Sequence, residues 1–135
     1  MEARPPTTLP GSTERIAEEA LGGAVQRLCR GGTWQALARE LAWRAVTGGL
    51  RDARMVEGFA ATAEAMLAVA IDDALWEVER AAIDARDGML ARRPGDVDAA
   101  HAAARLDAGE EAERLVPAAY ERVLDTLLAG SRRAA

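Results

Sequence analysis

The side chains of this chain that could do chemistry are a group of acidic residues, one histidine and one cysteine. The acidic group lies between positions 72 and 87 and comprises Asp72, Asp73, Glu77, Asp84 and Asp87. Asp73 and Glu77 are one helical turn apart, but carboxylate metal sites on helices usually add histidine ligands from facing helices. The only histidine lies elsewhere, and Arg80 can pair with Glu77 and Asp84 at helical spacing. We therefore interpret the acids as a solvated, salt-bridged face and predict no metal and no cofactor.

His101 and Cys29 are the remaining candidates for acid–base and nucleophilic chemistry. His101 has no nearby serine or cysteine to activate, so we interpret it as a partly buried structural histidine. Cys29 lies late in a predicted helix, away from the positive helix end that would acidify a thiol. It is interpreted as a small buried hydrophobe. Because acids, bases and nucleophiles converge in no motif, the sequence predicts no catalytic residue and the protein is expected not to be an enzyme.

The composition favours one helical domain with a thin core. The chain has 135 residues, of which 32 are alanine and only five are aromatic. Alanine favours helix and lets helices approach closely, but each alanine buries little apolar area. No segment shows the period of a strand. The predicted fold is all-α, with four to five helices around a long central antiparallel helical hairpin.

Charge, cysteine usage and hydropathy limit the classes of partner. All 17 basic residues are arginine and lysine is absent, a bias typical of GC-rich coding in a bacterial or phage source. The net charge of −5 argues against general affinity for nucleic acids or anionic membranes. The most apolar stretch, residues 59–71, has 13 residues and contains Glu64, whereas a bilayer needs about 20 apolar residues. With no signal-peptide pattern and a single cysteine, we expect a cytoplasmic protein without a membrane partner.

The chain divides into a tail, a domain and a second tail. Residues 1–11 contain three prolines and are predicted to be a disordered N-terminal tail. Residues 12–130 are predicted to form a single helical domain. Residues 131–135 are predicted to be a disordered C-terminal tail.

The helices of the domain are predicted from capping residues, glycines, prolines and apolar spacing. The first is expected to start at Ser12 or Thr13 and to kink or break at Gly22-Gly23. The second is expected to start at Thr33, and residues 50–93 to form one long helix or two in line. The last segment is expected to start at Asp96. Because proline is unfavourable within a helix, a kink or a break is expected at Pro117, which would fit as the first residue of a last helix that stops at Gly130.

The central segment carries apolar residues on two sides. A broad face holds ten of them, namely Val56, Phe59, Ala63, Met66, Leu67, Ala70, Ile71, Ala74, Val78 and Met89. A narrower line, which we call the seven-residue stripe, consists of Val69, Trp76, Ile83 and Leu90. A surface helix needs only one apolar side. The stripe therefore predicts either a helix packed on both sides or a helix that meets another chain.

Trp43 and Trp76 are the residues that bear most directly on this choice. Trp43 falls on the side of the second helix opposite its main apolar face. Tryptophan is enriched at interface hot spots, but it also fills protein cores, and the sequence leaves both interpretations open. On the first interpretation, the residues that contact a partner are Val69, Trp76, Ile83, Leu90 and Trp43.

The leading functional prediction is a non-enzymatic helical interaction or assembly subunit, an adaptor or structural component that self-associates. Its partners would be further copies of itself, another protein, or both. The alternative is a ligand-binding or regulatory helical bundle. The residues expected to line its cavity are Trp34, Phe59, Met66 and Tyr120. A DNA-binding regulator is less favoured. The arginines that would serve it are Arg39, Arg44, Arg51 and Arg54.

Overall fold

In the part of the chain that the structure describes, the fold consists of four helices. A computed structural model describes residues 12–30, 32–47 and 53–134. The helices are α1 (Thr13–Leu28), α2 (Trp34–Thr47), α3 (Ala53–Arg92) and α4 (Val97–Ala134). These described ranges contain no strand. The prediction of an all-α fold is confirmed, and four helices pack as a bundle.

Side-chain caps fix the starts of three helices. Each capping contact is 3.1 Å from a side-chain oxygen to a backbone nitrogen, and the pairs are Ser12 with Arg15, Thr33 with Ala36, and Asp96 with Ala99. Each cap accepts a hydrogen bond from a first-turn N–H that has no partner within its own helix. The predicted helix starts at Ser12, Thr33 and Asp96 are therefore confirmed.

The central segment is one helix. α3 contains 40 residues, which corresponds to a length of about 60 Å at the usual rise per residue. The predicted start at residues 50–52 lies outside the described residues, as does the predicted tail at residues 1–11. In the parts of the chain that the structure describes, no helix is both long and apolar enough to span a bilayer.

Three predicted helix breaks or ends are wrong, whereas the kinks that the sequence allows at Gly22-Gly23 and Pro117 stay predictions. α1 continues through Gly22 and Gly23, and α4 continues through both Pro117 and Gly130 to Ala134. Pro117 cannot donate a backbone hydrogen bond, so the helix loses one bond there. Buried side chains on both sides of Pro117 hold the helix on its path, since packing of an apolar face contributes more to helix stability than propensity does.

The first core cluster joins α1 to the middle of α3 and α4. Small residues dominate it, with Ala74, Val78 and Ala82 on α3 and Ala104, Ala108, Ala112 and Val116 on α4. The three alanines of α4 are spaced by four, so they form a shallow ridge along the helix. We call this line, extended by the buried Ala100, the alanine ladder. It allows close approach of the helices and gives a thin core at this level.

The second core cluster is built from larger side chains. It joins α2 to the first half of α3 and the last third of α4. Its members include Cys29, Leu37, Leu41, Leu67, Tyr120, Val123, Leu124 and Leu127. Leu37, Leu41 and Leu67 are completely buried. The core is therefore thicker at this end of the bundle.

Candidate interaction surface

Val69 and Trp76 lie on the side of α3 that points away from both core clusters. Val69 is 64% exposed and Trp76 is 70% exposed, whereas Ala74 and Val78 at the same level are buried. Two turns of helix separate the two exposed side chains. A pair of large apolar residues left in water on one helix face is a feature of association sites.

The seven-residue stripe does not run straight along the helix. Residues spaced by seven drift by about 20° per repeat around a straight α-helix. The line therefore leaves the outward face beyond Trp76, and Ile83 and Leu90 are partly buried. The structure thus divides the predicted stripe into an exposed half, Val69 and Trp76, and a partly covered half, Ile83 and Leu90.

Trp43 is exposed on a different helix. Its exposed fraction is 56%, and it lies on the side of α2 opposite the buried Leu41 and Ala45. It is not among the residues that line the groove beside Trp76. The two tryptophans that the sequence singled out are both exposed, and they lie on different helices.

Charged side chains border Trp76 along α3. Asp72 and Asp73 precede it by about one turn, and Arg80 follows it by about one turn, with all three exposed. Within the described residues, Asp73 and Arg80 form no ion pair. The predicted pairing of Arg80 with Glu77 and Asp84 is therefore not formed. These charges remain available to a molecule that covers the tryptophan.

A groove between α3 and α4 runs beside Trp76. Its volume is about 450 Å³, and it is lined by Ala70, Asp73, Ala74, Trp76, Glu77, Leu115 and Arg122. Charged side chains of both signs, Asp73, Glu77 and Arg122, lie among the apolar ones at its border. Such a border resembles the polar rim of a protein interface.

The residues predicted to line a ligand cavity are brought together, but they fill a core. Tyr120 is a buried member of the second cluster, and Trp34, Phe59 and Met66 pack against that cluster. Of these four, only Trp34 lines the separate groove of about 410 Å³ between α1, α2 and α3. The structure thus places these four residues in or against the second core cluster, with Trp34 also at the edge of a groove.

Arg44 links α2 to α4. Its Nη1 donates a hydrogen bond of 2.6 Å to the hydroxyl of Tyr120, and its guanidinium carbon lies 5.5 Å from the centre of the tyrosine ring. The hydrogen bond from Arg44 to Tyr120 is the main reason that the pKa of Arg44 is raised above its usual value. A guanidinium over an aromatic face is a favourable arrangement. Arg44 thus holds two helices together from the protein surface.

The arginines considered for DNA contact do not form a free basic patch in the described part of the chain. Arg44 contacts Tyr120, and Arg39 pairs with Glu57 of α3 at 3.1 Å. Arg51 and the side chain of Arg54 lie outside the described residues. The structure therefore gives two of the four arginines roles within the fold.

The other candidates for chemistry are dispersed. His101 is partly buried and Cys29 is a buried free thiol, which confirms the burial predicted for both. Across the described ranges, no three histidine, cysteine, aspartate or glutamate side chains lie close enough together to hold a metal ion.

Sequence reasoning missed the exposure of two large apolar residues of α4, Val97 and the more exposed Leu106. Leu106 is 63% exposed and borders a groove of about 510 Å³ between the ends of α3 and α4 that meet at the turn. The spacing of the alanines in the alanine ladder could have predicted that Leu106 is exposed. Ala104 and Ala108 are buried, and the residue midway between two positions spaced by four lies on the opposite side of the helix.

Comparisons of the chain with protein-family models, with curated proteins and with solved structures found no match.

Proposed function

We propose that this protein is a non-enzymatic helical interaction subunit that self-associates through the outward face of α3 and serves as an assembly or adaptor component. The observation that carries the proposal is the exposure of Trp76, at 70%, two turns from the exposed Val69. Burying a tryptophan removes roughly 150–250 Å² from water. The second copy, by covering both residues, removes an apolar area that the monomer leaves in solvent.

We infer that α3 and α4 form the predicted long antiparallel hairpin, which presents this face. Support comes from the core clusters, because Val78 shares one with Ala108 whereas Leu67 shares the other with Leu124. Early residues of α3 thus meet late residues of α4. The connection at residues 93–96 is a tight turn in which Gly95 has φ of 84°, a conformation that glycine adopts without strain.

The direct test measures molar mass by light scattering for the full chain between about 1 and about 100 μM. We expect the wild-type mass to rise above the monomer with concentration. Trp76→Ser should shift the protein to a folded monomer, since truncating an anchor tryptophan costs about 2 kcal/mol or more, which is roughly a 30-fold weaker dissociation constant. A wild-type protein that stays monomeric throughout this range contradicts self-association.

Leu106→Ser is the matched control for Trp76→Ser. Leu106 is a large apolar residue of similar exposure, 63%, but it lies on α4. We expect this variant to keep the wild-type mass and helicity. If both variants dissociate equally, general surface hydrophobicity drives association and the face of α3 has no special role.

A ligand-binding or regulatory bundle is the second candidate, supported by the groove beside Trp34. Its lining includes the apolar side chains of Leu21, Val25, Ile71 and Leu75. The test is titration with an anilinonaphthalene sulfonate dye, followed by fluorescence and melting temperature. Binding that raises the melting temperature and is lost in Trp34→Ala favours this candidate. Absence of binding to the native wild type contradicts it.

We also propose a cytoplasmic location and a bacterial or phage source. Support for the location comes from Cys29, a free thiol in a protein whose one cysteine permits no internal disulfide. Support for the source is the exclusive use of arginine among the basic residues. Determining the thiol state of Cys29 in protein taken directly from its native cells tests the location.

A further inference from the structure

We propose that the groove beside Trp34, between α1, α2 and α3, binds a small molecule with an apolar body and a cationic amine at one end. This inference rests on the second candidate function, the ligand-binding bundle, and adds the chemical class of the ligand. The observations that carry it are the kinds of side chain that line the groove and their order along α1.

Most of the lining of this groove is apolar. Leu21 and Val25 of α1 contribute to it together with Ile71 and Leu75 of α3, and the partly buried Trp34 adds an indole ring from the start of α2. The volume of about 410 Å³ falls within the range of about 300–1,000 Å³ that is usual for small-molecule sites. The groove therefore has the size and the apolar surface to hold a small organic molecule.

Gly22 leaves this groove open on the side of α1. It lies in the interior of the helix and lines the groove, and a Cβ added there would meet no atom within 4 Å. Glycine is among the least favourable residues in a helix interior, and no close contact in the described part of the fold requires it at this position. The missing side chain gives a ligand room to lie directly against the backbone of α1.

One carboxylate gives the groove a preference for positive charge. Among the described residues that line it, Glu18 is the only charged one, and the polar side chains of Thr33 and Gln35 are neutral. Glu18 is exposed and forms no ion pair with the described part of the chain. A carboxylate attracts a cation and repels an anion. The lining thus favours an apolar amine over an apolar acid such as a fatty acid.

The order of the lining residues sets the shape of the ligand. Glu18 precedes Val25 by seven residues, so the carboxylate and the apolar end of the groove are about 10 Å apart along α1. Trp34 begins α2, which closely follows the C-terminal end of α1, so its indole approaches the groove from the end opposite Glu18. A ligand about 10 Å long would place its apolar body near the indole and its amine near Glu18.

Three matched probes test the preference for positive charge. Naphthylethylamine, naphthylethanol and naphthylacetate share a ring and a short side chain, but at about pH 7 they carry a positive charge, no charge and a negative charge. In isothermal titration calorimetry with the full chain at low salt, we expect the amine to bind about fivefold more tightly than the alcohol. The acetate should bind more weakly than the alcohol. High salt should reduce both differences, because the pair with Glu18 is exposed.

Substitution of Glu18 tests the source of the preference. Glu18→Gln keeps the shape of the side chain and removes its charge, so the amine should then bind no more tightly than the alcohol. Glu19→Gln is the matched control, because Glu19 is a neighbouring exposed carboxylate that pairs with Arg15 and does not line the groove. This control should keep the preference. Equal loss in both variants would show that the net charge of the protein attracts the amine, and it overturns the inference.

Filling the space at Gly22 tests the position of the ligand. Gly22→Leu should weaken the binding of all three probes by about tenfold or more, since its side chain would occupy the open part of the groove. Gly58→Leu is the matched control, because Gly58 is a helical glycine of α3 with equal space around it and lies outside the groove. Circular dichroism checks that both variants remain folded. Unchanged binding to a folded Gly22→Leu overturns the inference.

Nuclear magnetic resonance of the three indole N–H groups locates the bound amine. We expect the signal of Trp34 to shift and the signals of the exposed Trp43 and Trp76 to stay in place. A shift confined to Trp43 or Trp76 places the ligand elsewhere and overturns the inference. Equal affinity of the three probes at Trp34 supports the ligand-binding bundle and overturns only the preference for a cation. If no probe binds, the ligand-binding candidate and this inference are both overturned.

Discussion

At the scale of single residues, the contact between Arg44 and Tyr120 explains how the second core cluster accommodates a phenol. Tyr120 is only 4% exposed, and a buried hydroxyl without a partner is destabilising. Arg44 supplies the partner from the exposed side of α2. The ring fills the space between the helices while the hydroxyl is hydrogen-bonded at the surface.

Tyr120→Phe should lower the free energy of unfolding by about 1 kcal/mol, because it removes the hydrogen bond and keeps the ring. Urea denaturation measures the change. A double-mutant cycle with Arg44→Ala should show that the two substitutions are not additive. Additive costs would show that the hydrogen bond contributes nothing to stability.

The pH dependence of this contact follows from the charge of Arg44. The folded protein raises the pKa of the guanidinium, chiefly through the hydrogen bond to Tyr120. A raised pKa on a cation gives stability that is present below the usual pKa and is lost only above the raised value. The cost of Tyr120→Phe should therefore be the same at about pH 6 and at about pH 9.

Substitution of two glycines by alanine should change the stability of the protein in opposite directions. A Cβ added at Gly22 in α1 meets no atom within 4 Å, so Gly22→Ala should stabilise the protein by about 1 kcal/mol through helix propensity. Gly32 has φ of 72°, so Gly32→Ala should destabilise it. Thermal unfolding of both variants checks the signs. A destabilising Gly22→Ala would indicate that α1 is bent at this position.

At the scale of the helices, α4 shows packing prevailing over local preference. Pro117 leaves the carbonyl of Glu113 without its usual helical donor. The side chain of the same Glu113 forms an ion pair with Arg27 of α1. Buried neighbours, including Val116 and Tyr120, anchor the helix on both sides of the proline. The helix therefore passes the proline at a cost in stability instead of ending there.

Pro117→Ala should raise the free energy of unfolding by about 1–3 kcal/mol, since it restores one backbone hydrogen bond and removes the ring from the helix interior. Ala118→Pro is the matched control at an exposed neighbouring position, and it should destabilise the protein by about 3 kcal/mol. Loss of folding in Pro117→Ala would show that the bundle requires the proline.

The parts of the fold that could be predicted from sequence are those decided locally. The starts at Ser12, Thr33 and Asp96 depend on a side chain and an amide three residues away. The errors at Gly22-Gly23 and Pro117 arose where burial against other helices outweighs local preference. The sequence of a helix does not specify how much of its surface is buried against the other helices.

At the scale of the whole molecule, the candidate site also combines a feature that local sequence decides with features that the packing of the helices decides. The seven-residue spacing predicted a second apolar line on α3, and Val69 and Trp76 are indeed exposed. The half-burial of Ile83 and Leu90 could not be predicted, because it depends on where the neighbouring helices lie around α3. The exposed Trp43 and Leu106 likewise needed the positions of all four helices.

Self-association should make the melting temperature of the protein depend on its concentration. A dimer that is more stable than its separated copies melts at a higher temperature when mass action favours it. We expect the wild-type melting temperature to rise by a few degrees between about 1 and about 100 μM, and that of Trp76→Ser to stay constant. A concentration-independent wild type would contradict a coupling between folding and assembly.

The alanine ladder of α4 implies that the bundle does not open evenly. Ala100, Ala104, Ala108 and Ala112 line one half of the helix, whereas larger buried side chains begin at Val116. Local opening is governed by how much apolar contact must be broken. In hydrogen–deuterium exchange, backbone amides between residues 97 and 112 should exchange by frequent partial opening, while those between 116 and 127 should exchange only on global unfolding. The part of α4 next to the turn at residues 93–96 would then open locally and often, while the part from Val116 to Leu127 would open only when the whole protein unfolds.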